Sequence, residues 1–343
     1  ANLDGRRSTA SHRQMGMAPT VTAVGTPATA GSATGHGGHS EHGSAEESSV
    51  SAAEDLDLHG REPDEDFEAW PAVLPPASEA TVHRITLEAQ EVEVEVAPGV
   101  TQQRWTFGGT APGPVLRGKV GDTFEITLVN DGEIGHSIDF HAGALAPNEP
   151  MRTIQPGETL TYTFTATRSG IWMYHCSTMP MSMHIANGMH GAVIIDPPDL
   201  APADTEYILV QSELYLGPQG GTADAEKIAA ITPDLVTFNG YANQYVHRPL
   251  EATVGERVRV WVLDAGPNVE SAFHIVGGQY DTVFFEGAYT LQPGGTGGSQ
   301  TLGMHASQGG FVELVFPEAG DYPFVTHRMS DAERGAQGVF HVE

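Results

Sequence analysis

The sequence repeats itself over most of its length, and this repeat constrains the fold more than any other feature. Three segments of the first half have counterparts in the second half, in the same order. The matched pairs are residues 120–129 with 254–263, 164–175 with 316–327, and 188–195 with 335–342. Two copies of one folded unit, joined near residues 197–204, explain this order better than coincidence does. A length of 343 residues suits two such domains and a tail.

The repeated segments have the pattern of β-strands. Short runs rich in Val, Ile, Thr, Phe and Tyr alternate with polar residues and end at Gly or Pro, as at residues 81–96 and 122–130. A helical pattern is found at about residues 223–231, which is too short to define a domain. The sequence therefore predicts an all-β protein of two tandem Greek-key β-barrels.

The N-terminal segment differs in composition from the rest. Residues 1–76 are rich in Ala, Gly, Ser, Thr, Glu and His and lack apolar periodicity, so they can bury little surface. We expect a flexible, acidic, low-complexity arm with short docked pieces, followed by a first domain at residues 77–198 and a second at residues 199–343. The arm contains a histidine cluster, which consists of His36, His39 and His42. Histidines spaced by Gly and Ser more often bind metal adventitiously than in a built site.

Acidic residues greatly outnumber basic ones. The formal net charge is -28, from 44 Asp and Glu against 16 Lys and Arg, so nucleic acid is not an expected partner. A surface of this charge keeps a protein soluble and would attract a basic partner over long range, although a generally solvated surface explains it as well. No apolar run of about 18 or more residues is present, so we expect no transmembrane segment. The sequence begins at Ala1 rather than Met, from which we expect a preceding export signal or domain and a periplasmic or extracellular location.

Cys176 is the single cysteine of the chain, which excludes an internal disulfide. It ends a predicted strand and is followed by His184 and Met189 in the spacing Cys-x7-His-x4-Met, while His136 follows an earlier strand. Two imidazoles, one thiolate and a weak thioether form the ligand set of a blue-copper site. The sequence therefore predicts that these four residues hold an electron-transfer copper of type 1.

Two alternatives to this ligand set stay open. Cys176 could be a buried apolar side chain, with the methionines filling the core. Three other methionines lie near the predicted site, at Met179, Met181 and Met183. We prefer Met189 because it follows His184 on the rim of the barrel, whereas the other three belong to the connecting loop.

A second ligand set interleaves with the first. His141 follows His136 by five residues, and His175 is the immediate neighbour of Cys176. Because successive side chains of a strand point to opposite faces, His175 can serve a second metal while Cys176 serves the first. We expect this second metal to be a copper of type 2, held by three histidines. His327, at the end of a strand in the second domain, is the best placed third ligand after His141 and His175.

Taken together, these residues resemble those of the copper-containing nitrite reductases, which are trimers of two-domain cupredoxin chains. The resemblance runs from about residue 80 to the C-terminus. It rests on five short motifs, at residues 136–141, 174–176, 184–189, 273–278 and 325–327. The resemblance implies two tandem cupredoxin-like barrels that reduce nitrite to nitric oxide, with an electron passed from type 1 copper through Cys176 and His175 to type 2 copper.

The resemblance also implies roles for further residues and partners. Asp139 would be the catalytic carboxylate and His274 the second catalytic residue, while His327 would complete the type 2 site across a homotrimer interface. The electron donor would be a cytochrome or a cupredoxin. Val276, Val325 and Met329 correspond to the apolar residues that shape the substrate pocket in the family. Packing within the barrel would explain the apolar character of these three residues equally well. Asp139 could also orient a ligand histidine.

Two other functions are open to related barrels. A two-domain multicopper oxidase of the laccase kind reduces dioxygen at three clustered coppers, which need many histidines, usually in His-x-His pairs. The sequence contains no such pair. A type 1 copper electron carrier would have no use for the pairing of Asp139 with His274. Both alternatives are therefore weaker than the reductase.

Overall fold

The computed structural model describes residues 50–343 and consists mainly of β-strands. The first barrel, at residues 82–196, contains β1 (Val82–Ala97), β2 (Val100–Phe107), β3 (Leu116–Lys119), β4 (Thr123–Asn130), β5 (Asp139–Phe140), β6 (Thr159–Thr165), β7 (Gly170–His175), helix α1 (Met181–Ala186) and β8 (His190–Asp196). The second barrel, at residues 205–342, contains β9 (Thr205–Leu214), helix α2 (Ala225–Ala230), β10 (Leu235–Phe238), helix α3 (Gln244–His247), β11 (Arg248–Ala252), β12 (Arg257–Gly266), β13 (Ser271–Ile275), β14 (Thr282–Phe285), β15 (Ala288–Leu291), β16 (Leu302–Met304), β17 (Gly309–Val315), β18 (Gly320–Thr326), helix α4 (Met329–Ala332) and β19 (Gln337–Val342).

Each barrel is closed by two sheets of its own strands. The sheets have the strand orders β2-β1-β4-β6 and β3-β8-β7-β5 in the first barrel, and β10-β9-β12-β17-β14-β15 and β11-β19-β18-β13-β16 in the second. The parallel pair β1 and β4 recurs as β9 and β12, and the parallel pair β3 and β8 recurs as β11 and β19. This shared topology matches the sequence repeat, and the prediction of an all-β fold of two tandem barrels is confirmed.

Strand β6 shows how the sequence pattern builds the first barrel. Its side chains are alternately exposed and buried, and Leu160, Tyr162 and Phe164 point into the core while the threonines between them face outward. A period of two places every second residue on one face of a sheet. The apolar core on that face also contains Cys176 and Met189, so the packing of the barrel and the geometry of the predicted copper site depend on each other.

Removing one inward side chain of β6 should destabilise the first barrel. We expect Leu160→Ala to lower the free energy of unfolding by about 2–5 kcal/mol, because it deletes buried methyl groups and leaves a cavity. Thr161→Ala, on the exposed face of the same strand, is the matched control and should cost less than about 1 kcal/mol. Urea unfolding of both variants measures the difference, and equal midpoints would contradict the packing described here.

Apolar side chains also join the two barrels. Ile171 and Met173 of β7 belong to one buried cluster with Trp261 of β12 and Phe311 of β17. Leu74, which precedes the first barrel, is buried in the same cluster, and its backbone N–H donates to the carbonyl of Glu206 at 2.8 Å. Part of the predicted arm is therefore docked. The chain passes between the barrels from Asp196 to Thr205, and the boundaries at residues 76 and 198 stay predictions.

The helices of residues 50–343 are short. The predicted helical stretch at 223–231 contains α2, which begins where the Asp224 carboxylate accepts the backbone N–H of Glu226 at 2.8 Å. The helix ends at Ala230, and the residue that caps it, Ile231, has a left-handed backbone. None of the helices in this part of the chain has the length and apolar character needed to cross a membrane. The histidine cluster of the arm, His36, His39 and His42, lies outside the described residues.

Candidate metal centres

The first cluster of metal-binding side chains lies after the end of β7. It consists of His136, Cys176 and His184, which are all buried and whose ligand atoms lie within 4.8 Å of one another. Cys176 follows β7 directly, His184 is on α1, and the backbone of His136 forms a β-bridge with Ile154. The Cys176 Sγ atom is 3.3 Å from His184 Nδ1. Three separate elements thus bring two imidazoles and one thiol together.

Met189 lies at the end of the segment that begins at Cys176 and contains His184. The backbone N–H of Cys176 donates to the Met189 carbonyl at 3.1 Å, and the N–H of Met189 donates to the His184 carbonyl at 3.0 Å. Met189 is fully buried in the apolar cluster that contains Cys176. Met179, in contrast, is 75% exposed, and Met181 and Met183 are half-buried. This arrangement favours Met189 over the other three methionines, and its role as the fourth ligand stays a prediction.

Burial favours the neutral form of the two imidazoles in the first cluster. Burial lowers the pKa of His184 to about 4, with a smaller contribution from His136. Burial also lowers the pKa of His136, which the nearby carboxylate of Glu91 partly opposes. His136 Nδ1 is buried and has no hydrogen-bond partner among the described residues. Neutral imidazole is the form that coordinates a metal ion. Two neutral imidazoles together with the Cys176 sulfur form a donor set that fits copper.

Two contacts of the first cluster were not predicted from the sequence. Glu91 of β1 lies beside His136, with its Oε1 atom 3.4 Å from Nε2. Trp105 of β2 stands opposite Glu91 in the strand pair, and its ring centroid is 4.8 Å from that of His184. The pair of β1 and β2 therefore covers both histidines of the cluster.

The second cluster consists of Asp139, His141 and His175. It lies where the end of β7, which contributes His175, pairs with β5, which contributes Asp139. The Nε2 atoms of the two histidines are 3.0 Å apart, and Asp139 Oδ2 is 3.9 Å from each of them. His175 Nδ1–H donates to the carbonyl of Cys176 at 3.0 Å, which leaves Nε2 free to face His141. Burial lowers the pKa of His141, His175 lowers it further, and Asp139 opposes both.

The second barrel carries a corresponding pair, His274 and His327. His274 is on β13 and His327 follows β18, and their ring centroids are 5.5 Å apart. The Nδ1–H group of His274 donates to the Gln300 carbonyl at 2.6 Å. By the sequence repeat, His327 corresponds to His175. Within residues 50–343, His327 is not part of either group of close ligand atoms, so the structure does not bring it to His141 and His175 within the chain.

Proteins with similar sequences or structures are copper proteins. Residues 88–200 match a family model described as multicopper oxidase. The copper-containing nitrite reductase of Neisseria gonorrhoeae is 34% identical over 271 residues, which cover 76% of this chain and 68% of the relative. A solved copper nitrite reductase from Nitrosomonas europaea has a TM-score of 0.70 and 37% identity, covering 76% of this chain and 94% of that one.

A solved multicopper oxidase is also similar, with a TM-score of 0.67 and 28% identity, covering 76% of this chain and 89% of that one. The multicopper oxidase model matches only the first barrel, whereas the nitrite reductases match both barrels at higher identity. The predicted resemblance is confirmed, and this chain belongs to the copper-containing nitrite reductase family.

Proposed function

We propose that this protein is a copper-dependent enzyme that reduces nitrite to nitric oxide. One observation carries the proposal: the adjacent residues His175 and Cys176 belong to two different clusters of metal ligands. Only the covalent bonds of two neighbouring residues separate the clusters. Such a link suits the delivery of an electron from one metal to another, and membership of the nitrite reductase family supports the same reaction.

The ligand sets follow from the two clusters. We assign the type 1 copper to His136, Cys176, His184 and Met189. We assign the type 2 copper to His141 and His175, with His327 of a neighbouring subunit as the third ligand. When bound, copper supplies one-electron chemistry at the first site and, at the second, an open coordination position for a small anion. Burial lowers the pKa of His136, His141 and His184, which favours the neutral imidazole that binds metal, and the hydrogen bond from His175 Nδ1–H to the Cys176 carbonyl orients the His175 ring.

Nitrite reduction consumes one electron and two protons and releases water, so the protein must supply protons at the second cluster. Asp139 is partly exposed and lies equally close to the two histidine Nε2 atoms, where its protonated carboxyl group can donate a hydrogen bond to an oxygen of the anion and pass the proton. The Nδ1–H bond from His274 to Gln300 leaves Nε2 of His274 free to hold the second proton through water.

We propose that a homotrimer brings His274 and His327 to the second cluster of the next subunit. Two apolar side chains next to this pair, Val276 and Met329, are exposed by 45% and 49% in the single chain. Val325, which stands opposite His274 in the strand pair, is buried. An exposed patch of histidine and apolar side chains is suited to an interface between subunits, where the apolar residues would also limit how the anion lies.

The proposed function is tested by metal analysis together with an assay of the reduced protein. We expect two coppers per chain, nitrite-dependent release of nitric oxide, and a change in the type 2 electron paramagnetic resonance signal when nitrite is added. One copper per chain and no nitric oxide would instead indicate an electron carrier. A cytochrome or cupredoxin as donor and a periplasmic or extracellular location stay predictions.

A multicopper oxidase is the second candidate, because the family model of that name matches the first barrel. Its cluster of three coppers requires more histidines than the second site offers. Among the described residues, only two groups of three or more His, Cys, Asp or Glu side chains have ligand atoms within 4.8 Å of one another. Phenol-driven oxygen consumption without nitrite activity would establish the oxidase and refute the reductase.

A further inference from the structure

The two ring nitrogens of His136 have different surroundings. Nε2 lies 3.4 Å from Oε1 of Glu91, whereas Nδ1 is buried and has no hydrogen-bond partner among the described residues. A carboxylate is an acceptor, so it selects the tautomer in which the neighbouring nitrogen carries the proton. Glu91 therefore places the proton on Nε2 and leaves the lone pair on Nδ1.

The carboxylate of Glu91 is itself held in place. Its oxygens accept the backbone N–H of Glu133 at 3.2 and 3.0 Å, and the side chain is only 12% exposed. Gly132 passes directly beneath it, and a Cβ atom at this position would lie 2.8 Å from Oε2. Any larger residue at 132 would displace the carboxylate. The loop that carries His136 therefore contacts the Glu91 carboxylate at two residues, Gly132 and Glu133.

We propose that Glu91 is a positioning residue of the type 1 site, which fixes the tautomer and orientation of His136 and favours the oxidised metal through its negative charge. The inference rests on the proposed copper site and assigns a role to a residue that is not a ligand. A carboxylate that accepts the second N–H of a ligand histidine makes the imidazole a stronger donor. A stronger donor and a nearby negative charge both stabilise the cupric form more than the cuprous form, so they lower the reduction potential.

Two substitutions separate the charge of Glu91 from its hydrogen bond. Glu91→Gln keeps an acceptor for His136 and Glu133 but removes the charge, and Glu91→Ala removes both. Loss of such a partner typically weakens metal binding by about 10- to 100-fold. If a tenfold loss falls on the cupric form alone, the reduction potential rises by about 59 mV. Glu88→Gln is the matched control, because Glu88 is an exposed residue of the same strand.

The measurements are the reduction potential of the type 1 copper, its thiolate absorption, and the rate at which a chelator removes the metal. We expect Glu91→Gln to raise the potential by tens of millivolts relative to Glu88→Gln, and Glu91→Ala to lose copper at least tenfold faster. Equal potentials in Glu91→Gln and Glu88→Gln would overturn the effect of the charge, and equal rates of copper loss in Glu91→Ala and Glu88→Gln would overturn the positioning role. With the thiolate absorption of the wild-type protein intact, both results would count against this inference alone. If the wild-type protein lacked the thiolate absorption, the copper site itself would be refuted, and this inference with it.

Discussion

Asp139→Asn is expected to reduce nitrite-dependent nitric oxide release by about 10²- to 10⁴-fold, the usual contribution of a positioned proton donor. The carboxyl oxygen of Asp139 is 3.9 Å from both Nε2 atoms of the second cluster, within reach of an anion bound between them. Asparagine has nearly the same shape and still forms hydrogen bonds, but it cannot pass a proton. The substitution should therefore leave the copper content unchanged.

The measurement is steady-state nitric oxide production by the reduced protein, together with the thiolate absorption and metal analysis. Asp199→Asn, at an exposed position between the barrels, is the control for loss of one carboxylate and should keep full activity. A variant that lost type 2 copper would show that Asp139 orients His141 or His175 rather than donating protons. Full activity in Asp139→Asn would refute the proton-donor role.

The first cluster was accessible from the sequence because its spacing is local. Cys176, His184 and Met189 lie within one loop and short helix, and the strand period places His175 on the face opposite Cys176. The structure brings His136 to this loop, as the ligand chemistry requires, although the assignment of the four ligands stays a prediction. The sequence repeat likewise aligned His327 of the second barrel with His175, but it did not predict that His327 lies beside His274.

Glu91 was not predicted because its contact is not local. It precedes His136 by 45 residues, and strand β1 contains several other glutamates that face solvent. A weak signal was present in the strand pattern. Glu91 lies two residues after Ala89 and four after Leu87, so it falls on the same face of the strand as these two buried residues. The apolar residues that follow it, Val92 and Val94, fall on the other face. An acidic residue that continues an inward face indicates a buried partner. The sequence did not show that this partner is a ligand histidine.

His327→Ala is expected to remove the type 2 copper, leave the type 1 copper in place, and abolish nitric oxide release. The reason is that two histidines of the first barrel, His141 and His175, would remain as the only imidazole ligands. Metal analysis should fall from two coppers to one per chain. His305→Ala, an exposed histidine of the second barrel that pairs with Glu270, is the control and should keep both coppers.

Mixed trimers show whether His327 serves its own chain or the next one. Chains with His141→Ala and chains with His327→Ala should each be inactive, and, if the proposed homotrimer forms, co-expression with two different tags allows trimers containing both kinds to be isolated. In a closed head-to-tail ring, every mixed trimer has a single junction at which an intact His141 meets an intact His327, so about one third of the wild-type rate should return. A site built within one chain would regain no activity in any mixture, because each chain would lack one of its own ligands.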